Sequence, residues 1–131
     1  MKKLVKILTA AIAIIFSLLS VVEGLKVLLK VSIPDYIVFT PLLIYNIIMG
    51  VIGFYVGIQI FRQHMNSLRN SAVISLFHIS ILSVISLLYL FDSAVSLHSV
   101  YAMIFRTVLW LFITITIWAS NKYLKTIKEE Q

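Results

Sequence analysis

Four long apolar stretches, separated by short polar ones, follow one another along the whole chain. Each is close to the roughly 20 residues that an α-helix needs to cross ~30 Å of hydrocarbon. We predict membrane-spanning helices at about residues 7–29, 41–61, 71–91 and 100–120. The pair Thr40-Pro41 has the form of a helix start, with threonine as N-cap and proline in the first turn. The pattern therefore predicts an all-α integral membrane protein, a four-helix bundle that forms one domain over residues 1–131.

Composition supports this assignment and narrows the chemistry. Hydrophobic residues make up 61% of the chain and charged residues 12%, which is too few charges to cover a water-soluble surface. Four spans also leave no room for a soluble catalytic domain. Because the chain has no cysteine, disulfides, thiolate metal sites and iron–sulfur clusters are excluded.

The basic residues predict how the chain is oriented. The N-terminus, the second connector and the C-terminal tail hold eight of them: Lys2, Lys3, Lys6, Arg62, Arg69, Lys122, Lys125 and Lys128. The first and third connectors hold two, Lys26 and Lys30. By the positive-inside rule, both termini are expected on the cytoplasmic side. The same residues lie beside the spans, where they meet lipid head groups, so the net charge of +6 does not predict nucleic-acid binding.

Arg106 is the most unusual polar residue, because it lies inside the fourth span. At 1.5 Å per residue it is roughly 12 Å below the outer end of that span. A buried charge there costs a few kcal/mol or more, so we expect it to face the bundle interior and meet a carboxylate. Glu23 is nearest in depth and Asp92 is the second choice. The pair either fixes helix register or also lines a pocket for a substrate or an ion. The third possibility is that no such pair forms.

His78 lies inside the third span and extends a polar stripe that also contains Ser71, Ser75 and Ser86. Three roles remain open: an interhelical hydrogen bond, a proton relay, or an axial ligand to a haem or chlorin. His64 and His98 lie near opposite ends of the spans, so a second ligand at matching depth is not evident. We expect His98 to order the outer turn together with Asp92.

Asn46, Gly50, Gly53 and Gly57 recur on one face of the second span. Small residues on one stripe let a neighbouring helix approach closely, and Gly53 and Gly57 have the small-xxx-small spacing. The stripe predicts helix packing, within the chain or in a homodimer.

Three segments carry a resemblance to a known family: VVEGLKVLL, LIYNIIMGVIGFYVG and HSVYAMIFRTVLW. In layout the chain resembles the small four-span bacterial membrane proteins of the DoxX-like kind. The resemblance implies a four-helix fold and an association with respiratory and redox membrane complexes, with Glu23 and Arg106 at family-type polar positions. The absence of cysteine argues against a thiol-linked redox role.

The sequence contains no Ser/His/Asp, HExxH or paired-carboxylate arrangement at one depth, so we expect no enzymatic activity and no required cofactor. The first hypothesis is an accessory or scaffold subunit of the bacterial inner membrane. Its partners would be the lipid bilayer and either other membrane subunits or a second copy. The alternative is a small transporter or proton-coupled carrier that uses Glu23, Arg106 and His78.

Overall fold

The computed structural model describes residues 2–92 and 94–131, with the side chain of Lys2 left out. Four α-helices occupy most of this part of the chain: α1 (Lys2–Leu28), α2 (Thr40–Phe61), α3 (Ser67–Asp92) and α4 (Leu97–Glu129). Each is long and apolar enough to cross a membrane, and no strand is present among the described residues. The all-α fold and the four candidate spans are thus confirmed.

Several helix ends differ from the predicted bounds, and two of them have a clear physical reason. The N-cap of α2 is Phe39, without a side-chain hydrogen bond, and Thr40 is already helical. Pro41 still falls in the first turn, where its missing N–H costs no hydrogen bond. At the other end of the chain, α4 continues to Glu129 because its lysines and glutamates are good helix formers. Its 33 residues are roughly 50 Å long, so the last turns extend beyond ~30 Å of hydrocarbon.

The helices form a closed ring in which each packs against its neighbours in sequence and α4 returns to α1. Short connectors make neighbouring helices antiparallel. We call the end that carries residues 29–39 and the turn before Leu97 the loop end. The opposite end, with the start of α1, residues 62–66 and the end of α4, is the terminal end. The central core is built around Trp110 and Ile113, and large apolar side chains cover the outside of all four helices.

The glycine stripe of α2 is the contact surface for α1. A Cβ at Gly50 would lie 3.1 Å from the carbonyl oxygen of Ser17, and one at Gly57 would lie 3.2 Å from the backbone nitrogen of Ile14. The prediction of helix packing is therefore correct for these glycines. Since α1 occupies the stripe, it is not available for the homodimer considered above.

Candidate ligand-binding cavity

A cavity of about 290 Å³ opens at the loop end, between α1, α2, α4 and the first connector. This volume has room for several water molecules, each of which takes about 30 Å³ in the liquid. The polar side chains that line it are Ser20, Glu23, Tyr36, Asn46, His98, Ser99 and Arg106. Residues far apart in sequence thus meet around one space.

Arg106 extends from α4 into the wall of this cavity and is largely uncompensated. Its Nε is buried and has no hydrogen-bond partner, and no ion pair of the guanidinium is present among the described residues. The Oδ1 atom of Asn46 on α2 is likewise buried without a partner. A guanidinium carries five N–H donors and cannot lose its charge in a protein. The cavity wall therefore contains a permanent cation, and Arg106 and Asn46 each hold a buried polar atom without a hydrogen-bond partner.

Glu23 lines the same cavity but does not form the ion pair with Arg106 that the sequence predicted. Its carboxylate accepts a hydrogen bond from Lys26 Nζ at 3.1 Å, within the last turns of α1. Residues three apart on a helix are neighbours on its surface, so this local partner is reached without crossing the cavity. The Glu23 side chain is 62% exposed, which places it at the rim. The prediction of a buried Glu23–Arg106 pair is wrong.

Tyr36 and His98 close one side of the cavity. Their rings stack with centroids 4.2 Å apart, which ties the first connector to the first turn of α4. His98 was expected to act with Asp92, but no hydrogen bond or ion pair joins them in the part of the chain that is described. Asp92 is exposed at the end of α3 and does not line the cavity. It does not belong to the polar cluster with which it was grouped.

His78 lies deeper in the bundle and forms an interhelical hydrogen bond. Its Nδ1 is 2.9 Å from the Tyr45 hydroxyl oxygen, and the two rings meet edge to face. With Arg106 and Asn46 it lines a second void of only about 10 Å³. Such a void holds at most about one water molecule, so a porphyrin or chlorin ring does not fit there. The geometry favours the interhelical hydrogen bond over the pigment ligand among the three roles.

Below His78, large apolar side chains pack beside buried serines such as Ser71 and Ser75. Trp110, Ile113 and Ile74 are at most 2% exposed and fill the space between the helices. A separate cavity of about 70 Å³, lined by Lys6, His64 and Asn121 among others, lies at the terminal end. The cavity at the loop end is therefore closed toward the terminal end by packed side chains.

Sequence reasoning found Glu23, Arg106 and Asn46, although Asn46 was assigned to helix packing. It missed Tyr36, because hydrophobic periodicity carries no information on how a connector folds back. Comparison of the chain with family models, with curated proteins and with solved structures finds no match.

Proposed function

We propose that this protein is a non-enzymatic integral membrane protein that binds a small ligand with an anionic group in the loop-end cavity. The observation that carries the proposal is Arg106, a partly buried cation without an ion pair among the described residues, in the wall of a cavity of about 290 Å³. Arginine binds carboxylates and phosphates with two parallel charge-assisted hydrogen bonds. A bound anion supplies the partner that no side chain provides.

A binding role is better supported than catalysis. Ser99, His98 and Glu23 all line the cavity, but Ser99 Oγ hydrogen-bonds to Ser96 Oγ at 3.0 Å and His98 stacks on Tyr36. No hydrogen bond joins His98 to Ser99 or Glu23 in the described residues, so a nucleophile and a base are not paired.

Transport is the second candidate function. Hydrogen-bonded pairs continue from the cavity toward the terminal end, first Tyr45 with His78 and then Ser75 with Thr114. Against it, the packed layer around Trp110 separates the two cavities, and a carrier would have to open this layer in every cycle. We therefore favour ligand binding over transport as the function.

The topology and location are part of the proposal. The charge distribution supports both termini on the cytoplasmic side of a bacterial inner membrane, so that the cavity opens on the outer side. An accessory or scaffold role in a membrane complex, and membership of the DoxX-like proteins, remain predictions. Co-purification in mild detergent tests the former: reproducible partners or self-association would support it.

The binding proposal is tested by thermal unfolding of the purified protein in mild detergent, with and without small anions at constant ionic strength. The probes are methyl phosphate, inorganic phosphate and acetate. A ligand at ten times its Kd stabilises the folded state by about 1.4 kcal/mol. We expect at least one probe to stabilise the wild type and R62Q, an exposed arginine at the other end, but not R106Q. Absence of stabilisation of the wild type by all probes, or equal stabilisation of R106Q, would overturn the proposal.

A further inference from the structure

A second depression lies beside the loop-end cavity. A groove of about 470 Å³ lies between the end of α1, the first connector and the start of α2. Val27, Val38 and Leu43 line both the cavity and the groove. The two spaces are therefore adjacent, and these three apolar side chains form the boundary between them.

The groove differs from the cavity in chemistry. Its walls are mainly apolar and include Leu28, Ile33 and Pro34, and Ile33 is 85% exposed. It lies on the outside of the bundle, where the helix surfaces are covered by large apolar side chains. Lys30 stands at its margin and adds a second positive charge near the end of α1. A compartment lined by a cation thus lies beside a mainly apolar one on the outside of the bundle.

We propose that the ligand is a membrane amphiphile with a phosphate or carboxylate head and at least one hydrocarbon tail. This inference rests on the proposed function, because it requires that the anion binds at Arg106. The head occupies the cavity beside Arg106 and Asn46, and the tail passes the boundary at Val27, Val38 and Leu43 into the groove. A soluble anion would use only the first compartment, whereas an amphiphile fills both.

The tail gains little from the hydrophobic effect, because it moves from the hydrocarbon of a bilayer or micelle into the groove. It contributes mainly van der Waals packing. The charged head contributes selectivity, since it alone interacts with Arg106. Glu23 remains neutralised by Lys26 at the rim and does not compete for the guanidinium.

The test compares two lipids with identical tails. The purified full-length protein is incubated with equimolar dimyristoyl phosphatidic acid and dimyristoyl phosphatidylcholine, and lipids retained by each chain are counted by native mass spectrometry. We expect the wild type and R62Q to retain phosphatidic acid with at least a tenfold preference, and R106Q to lose the preference. L28W, which fills the groove at a residue that does not line the cavity, is expected to lose the lipid but keep the thermal response to methyl phosphate. I33W replaces L28W if the latter does not fold.

The outcomes separate the two proposals. Suppose that methyl phosphate stabilises the wild type but the wild type does not prefer phosphatidic acid over phosphatidylcholine, or that R106Q keeps this preference. The amphiphile inference is then overturned and the anion site stands. If L28W and I33W retain phosphatidic acid as well as the wild type does, the placement of the tail in the groove is overturned. If neither probe binds, both proposals fail.

Discussion

The carboxylate of Glu23 is bound by Lys26 on its own helix, at 3.1 Å, although it lines the same cavity as Arg106. The local pair leaves the partly buried guanidinium without a counter-ion in the described part of the chain. If Arg106 served only the fold, a carboxylate of the protein would be expected to pair with it. An unpaired arginine that binds a ligand lowers the stability of the ligand-free protein.

The first prediction concerns the ligand-free stability of R106Q. Removal of a partly buried charge whose Nε has no hydrogen-bond partner is expected to raise the free energy of unfolding by on the order of 1 to 3 kcal/mol. Thermal unfolding in one detergent measures the change, with R62Q as the control for loss of an exposed arginine. A clearly destabilised R106Q would show that the guanidinium has structural partners and would contradict the account.

The second prediction concerns the Tyr45–His78 hydrogen bond between α2 and α3. A double-mutant cycle with Y45F and H78A should give a coupling energy of about 0.6 kcal/mol, and no more than about 1.7, as for other hydrogen bonds between membrane helices. Y55F, an exposed tyrosine on the outside of α2, is the matched control and should leave stability unchanged. A coupling energy indistinguishable from zero would mean that the bond does not form.

The third prediction concerns Gly53. A Cβ at this position would lie 2.5 Å from Ser17 Oγ and 2.8 Å from a ring carbon of Trp110. We therefore expect G53A to destabilise the protein by about 1–3 kcal/mol through overpacking. At an unpacked helical position the same change would stabilise the protein by about 0.5–1 kcal/mol. The sign of the change in the free energy of unfolding therefore shows whether Gly53 is tightly packed. S80A, on an exposed position of α3, controls for the measurement and should have little effect.

The fourth prediction concerns topology and uses the absence of cysteine. Single cysteines are introduced at Ile33 in the first connector and at Lys125 near the end of α4. In intact bacterial cells that express the protein, a membrane-impermeant thiol reagent should label the Ile33 variant, and the Lys125 variant only after the membrane is permeabilised. The reverse pattern would place the cavity on the cytoplasmic side.

The sequence predicted the helices well because bilayer thickness and hydrophobicity both constrain a span. It placed the end of α4 too early, since hydropathy detects where the apolar stretch ends and not where helical hydrogen bonding ends. The packing of Gly53 and Gly57 was evident from their spacing, but the identity of the neighbouring helix was not.

The site was harder to predict for a different reason. Depth alone suggested Glu23 as the partner of Arg106, but depth does not specify which way each helix is rotated, and Lys26 lies closer. The Tyr36–His98 contact depends on the path of the connector, for which the chain has no periodic pattern. The cavity itself is a property of the packed bundle, since it joins residues from three helices and a connector.

The central claim is that Arg106 supplies an accessible positive potential inside the loop-end cavity. The most direct measurement introduces one cysteine at Ala102, in the cavity wall, and compares its rates of modification by anionic and cationic methanethiosulfonate reagents of similar size. The same comparison at Gln63, at the terminal end, is the control. We predict faster modification of the Ala102 variant by the anionic reagent and loss of this preference in R106Q, with no effect of R106Q at Gln63. Equal rates for both reagents, or a preference that persists in R106Q, would contradict the account.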